Sequence, residues 1–382
     1  MIQPSKVTKH FEFLDNFASR IKNRDSQLRR LLSCTYMKAK SIIKYVVSLA
    51  LAALLLWASF REVEWQNFIQ GVKGCRWEFV LLSMALGSFA FLLRGLRWRR
   101  LLLPIDDSIS RMTAFNGVNI GNISNFVFPR IGEFVRCGVI TRRSAPVDDA
   151  SLNDAQQFAS ETLPIQKKAT YDKVLGTVVL ERGWELLVML LMLAIVVVGG
   201  FDRFGSFFIE QIWEPLSSKF DFSIWWLVAA FVGTGGLVTY AIWRFRESNA
   251  FCARIWRIFS GIVQGFSSCL NMEKKWLFFA YTALIWMTYW LMAASIMWAA
   301  PFLEGLDMID ALFLSLVGGL GFAVPVPGGI GAFHFVIGLA LSMVYGLPME
   351  VGIIYATLSH TCQAITQILF GLFSYVYEAV KQ

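Results

Sequence analysis

The chain has 382 residues, of which 56% are hydrophobic and 16% formally charged, with a mean hydropathy of +0.54. Several uncharged runs exceed the roughly 18 residues that mark a transmembrane helix, so a soluble globular protein is excluded and an all-α polytopic membrane protein is expected. The net charge of +8 would suit nucleic acid in a soluble chain, but with this composition the basic residues have a topological use instead.

Residues 1–44 carry ten Lys or Arg against three acids, and Phe13, Phe17, Ile21, Leu28 and Leu32 recur at helical spacing. Over 1–41 this predicts a basic cytoplasmic segment, either an amphipathic helix on an anionic leaflet or a disordered tail that sets topology. The charged region is too long for the n-region of a signal peptide. Spans are expected over 42–60, 77–93, 183–201, 224–243, 276–302 and 351–377, followed by a short tail over 378–382. The second closes on the basic run Arg94, Arg97, Arg99 and Arg100, with Trp98 as an interfacial anchor. Six crossings put both termini on one side. That side holds 27 of the 35 Lys and Arg, so both termini are expected in the cytoplasm.

Residues 112–128 are uncharged but only weakly apolar, and Asn116, Asn119, Asn122 and Asn125 recur every third residue. On a helix they form a drifting polar stripe that must face protein or water. Pro129, Arg130, Gly132, Glu133 and Arg136 follow, then an apolar run to Ile140 that is too short to cross. Residues 112–140 therefore read as a re-entrant hairpin entering from the cytoplasm.

A second hairpin is expected over 311–346, a 36-residue stretch without a formal charge. As one helix it would reach about 54 Å, well past a hydrocarbon core of about 30 Å. Pro325 and Pro327 remove backbone donors, and Gly328, Gly329 and Gly331 admit conformations closed to other residues, so the break falls there. The alternative is a proline-kinked pair of ordinary spans. Glu304, Asp307, Asp310 and Glu350 flank this stretch with no basic residue among them and place its mouth outside. Two hairpins entering from opposite faces suit an inverted arrangement around a central polar cavity.

Glu181, Arg182 and Glu185 open the span at 183–201, where charge is costly unless paired or facing a polar cavity. One reading has Arg130, Arg136 and Arg182 binding a lipid phosphate, with Glu133, Glu181 or Glu185 orienting them and Asn122 and Asn125 lining the site. The other is an internal ion-pair network that locks the hairpin to the bundle. His334 and His360 are candidates for a proton or polar relay, or for simple bonding to a neighbouring helix. The six cysteines form no CxxC pair and no metal-ligand spacing, and no metal or cofactor is expected.

PRIGEFVR at 129–136, the Glu181 and Arg182 pair, and PVPGGIGAFHF at 325–335 together resemble the lysylphosphatidylglycerol synthase transmembrane region, a flippase-like family of multi-pass inner-membrane proteins. The resemblance covers about 42–377. It implies a membrane domain that, in two-domain synthases, moves an aminoacylated phospholipid between leaflets. Many relatives carry a glutamate near the position of His334, so no role is carried over to that residue. The sequence ends at Gln382 without the soluble domain in which aminoacyl transfer resides, so synthase activity is not expected.

The expectation is therefore a stand-alone plasma-membrane protein, not an enzyme, that binds or translocates an anionic phospholipid or polyprenyl-phosphate-type molecule. A partner lipid-modifying or glycosyltransferase enzyme would fit. The rivals are an integral membrane enzyme acting on lipid-linked substrates and a non-transporting scaffold for a partner synthase. No P-loop, HExxH or serine-nucleophile motif is present.

Overall fold

The computed structural model describes residues 45–61, 63–144, 169–205, 224–249, 251–253, 255–256 and 274–381. The expected basic segment over 1–41 lies outside these residues. The chain divides into two compact units, 1–51 and 52–382. Of the first, only the opening turns of α1 are described; everything below concerns the second.

Every regular element among the described residues is helical. In chain order they are α1 (Tyr45–Phe60), α2 (Trp65–Lys73), α3 (Trp77–Leu102), α4 (Arg111–Val127), α5 (Gly132–Arg143), α6 (Tyr171–Gly199), α7 (Ile224–Arg244), α8 (Lys275–Ala299), α9 (Met308–Ala323), α10 (Ala332–Tyr345) and α11 (Met349–Val380). Among the described residues, four segments are long and apolar enough to cross a membrane, namely α3, α6, α8 and Pro327–Tyr345, and a fifth if α1 and α2, bent by 87°, form one broken span. The expected spans over 224–243 and 351–377 do form helices. The second of these, α11, is diluted by Ser359, His360, Thr361, Gln363, Thr366 and Gln367 and runs three residues past Tyr377.

Both hairpins are present. In the second, α9 begins on a capping box: the Asp307 carboxylate accepts from the Ile309 and Asp310 N–H groups at 2.8 and 3.1 Å, and the Asp310 carboxylate accepts from the Asp307 N–H at 2.8 Å. Its base is closed by the Tyr345 hydroxyl donating to Asp310 at 2.9 Å, and near its tip the Phe322 and Phe333 rings meet at 5.0 Å. The two arms are therefore antiparallel. Sixteen and 14 residues reach only about 24 and 21 Å, short of a core of about 30 Å. The longer apolar count for Pro327–Tyr345 includes the 3-10 turn at Pro327–Gly329 and the positive-φ residues Gly328, Gly329 and Gly331.

The first hairpin, α4 and α5, starts on the Ser110 side chain accepting from the Thr113 N–H at 3.0 Å. Its arms approach so closely at Gly121 and Gly132 that a Cβ on Gly132 would stand 2.0 Å from the Gly121 carbonyl oxygen. The Asn125 side chain accepts from the Gly132 N–H at 2.6 Å and so closes the turn.

The bases lie at opposite ends of α11. This helix starts four residues after Tyr345, at the base of the second hairpin. It ends with Glu378 accepting from Asn116 and Arg143, at the base of the first, at 2.7 and 2.6 Å. Met349 to Glu378 is about 44 Å of helix, and α11 is the spine that both hairpins share. Small residues and buried aromatics, rather than water exclusion, hold such helices together in lipid.

The closest approach between the arms of the first hairpin supplies a test. Gly132→Ala should cost on the order of 1–3 kcal/mol because backbone must move, whereas Gly138→Ala, with open space around it on the same helix, should be neutral or stabilising by up to about 1 kcal/mol. Thermal unfolding in detergent would compare them, and equal melting points would contradict the packing described.

Candidate functional site

The two hairpin tips touch. Arg130, in the turn between α4 and α5, has a positive φ of 63°, and its guanidinium donates to the carbonyl of Ala323, the last residue of α9. A cation there meets the unpaired carbonyls and negative dipole end of a helix C-terminus. Phe126 packs against Gly328, where a Cβ would stand 3.0 Å from its ring, and Nε2 of His360 on α11 hydrogen-bonds the Gly328 carbonyl at 2.9 Å. Where an open polar chamber was expected, rings fill the junction. His360 lies 5.2 Å from His334, 5.6 Å from Phe333, 5.8 Å from Phe322 and 6.5 Å from Phe126 between centroids, and Phe60 covers His334 at 5.9 Å. The helices end at Pro and Gly, so their last polar groups are closed by the facing tip, and the space left between is taken up by apolar side chains.

Pro325 and Arg130 are exposed, Pro327, Gly329 and Gly331 are buried, and Gly328 is half-buried. Around Arg130 the surface is apolar: Val127, Phe128, Ile131 and Phe134 on the first hairpin and Leu320 and Phe322 on the second are all exposed. Among the described residues no carboxylate pairs with Arg130.

The remaining charges assemble away from the tips, between α3, α5 and α6. Arg97 Nη2 donates to Glu181 and to Glu185 at 2.6 Å each; Arg136 pairs with the other Glu181 oxygen at 2.7 Å; Arg182 pairs with Glu185 at 2.6 Å and with Glu133. The result is an alternating chain, Glu133, Arg182, Glu185, Arg97, Glu181, Arg136, with equal numbers of each sign. Arg94, one turn before Arg97, adds positive charge within electrostatic reach of both Glu181 and Glu185. Arg97 and Glu181 are wholly enclosed, at 0 and 1% exposure. Arg136 also lies over the Trp98 ring at 4.7 Å, and the Trp98 indole N–H donates to Thr177 at 3.0 Å.

Several expectations change accordingly. Arg136 does not join Arg130 but is held by Glu181. Trp98 is fully buried and is not an interfacial anchor. Glu181, Arg182 and Glu185 do not open a span, since α6 begins ten residues earlier at Tyr171. The asparagine stripe does face protein. Asn116 donates to Glu378, Asn119 is buried and donates to the Phe115 carbonyl of its own helix at 3.0 Å, the Asn122 side-chain nitrogen is buried while its backbone carbonyl accepts from Gln367 at 2.6 Å, and Asn125 serves the turn.

The sequence did not point to Arg97, Glu378 or the ring cluster. Arg97 stood in a basic run that topology already explained, and three other arginines already matched the three glutamates, so nothing required a fourth. Once Arg130 turns to Ala323, Arg97 takes its place. The other lock is at the second base, where Arg203, beyond α6, pairs with Asp310 and with Asp307 at 3.2 Å. In the α3–α4 connection, burial pushes the Asp106 carboxyl up. Hydrogen bonds from Ser108, Ser144 and the Ala169 N–H outweigh that and hold it below the usual carboxylate range.

The profile of the lysylphosphatidylglycerol synthase TM region matches residues 45–371. The chain belongs to this family. It is an integral membrane protein of a lipid-related family, and its apolar helices agree with that placement. No curated protein and no solved structure matches the chain.

Removing one partner from a buried ion-pair chain strands the others. Glu181→Gln should destabilise the protein by about 3–5 kcal/mol, while Arg182→Gln, whose side chain is 48% exposed, should cost about 0–1 kcal/mol. Thermal unfolding of the two variants in detergent checks the order, and a larger loss for Arg182→Gln would overturn the assignment of Glu181 as the hub.

Proposed function

We propose that the junction of the two hairpin tips binds the head group of an anionic membrane lipid and lets it pass between leaflets. The observation that carries the reading is Arg130: an exposed guanidinium, unpaired by any carboxylate among the described residues, set in an apolar surface where the hairpins meet. Its hydrogen bond to the Ala323 carbonyl leaves donors for a phosphate oxygen, while the surrounding Val127, Phe128, Phe134 and Leu320 suit acyl or polyprenyl chains. Cations facing a bilayer interior are expensive and tend to serve ion or substrate pathways.

Opposed hairpins sharing one spine are also the geometry in which a half-way site can open to either side. The buried ion-pair chain then acts as the fixed frame that anchors the first hairpin to α3 and α6, so movement at the tips need not unseat its arms. The charge asymmetry supports an orientation with the base of the first hairpin toward the cytoplasm, and the family supports a lipid bilayer as the setting.

In phosphatidylcholine liposomes, the purified protein should speed the leaflet exchange of fluorescent phosphatidylglycerol. Arg130→Ala should slow it by about 10–100-fold, the scale of one lost charged hydrogen bond. Exchange in the exposed Arg142→Ala control should be unchanged. Full exchange in Arg130→Ala would refute the assignment of Arg130, and mass-spectrometric detection of altered lipid chemistry would favour an enzyme instead.

A further inference from the structure

His334 and His360 are two of the chain's three histidines, and the fold brings them together at the point where α10, α11 and both hairpin tips converge. Both are buried, at 6 and 7% exposure, and their rings lie 5.2 Å apart. The Gly328 carbonyl can only accept, so His360 must carry its hydrogen on Nε2 to make the 2.9 Å bond. That leaves Nδ1 of His360 as a free-electron-pair nitrogen. On His334, Nδ1 is buried with no hydrogen-bond partner. A buried polar nitrogen without a partner is uncommon and calls for an explanation.

The groups facing the pair come from five elements. Helix α1 supplies Phe60, α4 supplies Phe126, α9 supplies Phe322, α10 supplies Phe333 beside His334 itself, and the turn before α10 supplies the Gly328 carbonyl. None of these is a carboxylate. The nearest charged member of the tips is Arg130, bound one helix end away at Ala323. Aromatic faces within about 6 Å can hold a cation without a counter-ion, while two imidazolium ions at this separation would repel strongly.

We infer that the His334 and His360 pair is a binding site for one proton, taken up at a ring nitrogen that the fold leaves without a partner, held by the phenylalanine cage, and excluding a second proton from the neighbouring ring. The proton adds a second positive charge beside Arg130 at the tips, and on the reading that this junction takes an anionic head group, it strengthens that binding. Lipid exchange is therefore linked to proton uptake. This part rests on the proposed function; the proton site does not.

The two parts separate in one pair of measurements. First, protein labelled with 13C-histidine and carrying His10→Gln is titrated by NMR in detergent from about pH 8 down to about pH 3, a range that starts above the ordinary histidine value of about 6.5 and runs well below it. The two remaining ring signals should shift together with the uptake of a single proton, and His334→Gln should uncouple the His360 signal. Two independent single-proton titrations, or no titration at all, would overturn the site. Second, phosphatidylglycerol exchange in liposomes should rise several-fold as pH falls through that titration, and His334→Gln with His360→Gln should make the rate insensitive to pH. Uptake of one proton with a pH-independent wild-type rate would overturn the linkage alone. A wild-type protein that exchanges no lipid at any pH would sink the head-group reading while the NMR result still decides the proton site. Size-exclusion profiles and melting temperatures of the double variant matching wild type show that the cage still folds.

Discussion

Non-helical backbone inside a membrane survives only where protein or water satisfies it, and this constraint shapes the whole arrangement. Each hairpin ends in a Pro- and Gly-bearing turn whose backbone groups are met by side chains rather than by helix neighbours. The exposed carbonyl at the end of α9 takes a donor from Arg130, the Gly328 carbonyl takes one from His360, and the Gly132 N–H is met by Asn125. The first of these bonds passes from one tip to the other, the second comes from α11 and the third stays within its own hairpin. The bond between Arg130 and Ala323 joins segments 193 residues apart in the chain, so the two re-entrant turns are conditional on each other.

A second consequence concerns charge. Three glutamates and three arginines in a bundle would be untenable as isolated ions. Here they alternate, each carboxylate oxygen of Glu181 meeting a different guanidinium, and the Trp98 ring covers one face of Arg136. That chain crosses three helices and fixes the first hairpin against α3 and α6. A comparable lock at each base, Glu378 for one hairpin and Arg203 with Asp310 for the other, leaves the tips as the places where change costs least. Arms pinned at their bases with tips held by a few hydrogen bonds and ring contacts are suited to local opening.

The division of labour among the arginines follows from this. Those that are enclosed are already matched by carboxylates and have a mechanical part, whereas Arg130 faces outward without one and has chemistry to spare. Membership of the lysylphosphatidylglycerol synthase TM region family sets the chain among lipid-related membrane proteins, and on the proposed reading Arg130 is where a lipid would meet it.

Composition and hydropathy alone determined the helical membrane class. Pro325, Pro327 and the three following glycines located one break, and Pro129 and Gly132 the other, because these residue types alter backbone geometry wherever they stand. The asparagine stripe correctly announced a face turned toward protein. What the sequence could not decide was pairing. Arg97, Arg130 and Arg136 are the same residue type, and which carboxylate each reaches depends on helices that meet only in three dimensions. His334 and His360 stand 26 positions apart on separate helices, and only the close packing of α10 on α11 makes them neighbours. Residue chemistry is local and so can be read along a chain; electrostatic partnership acts through space, and the tertiary structure alone assigns it.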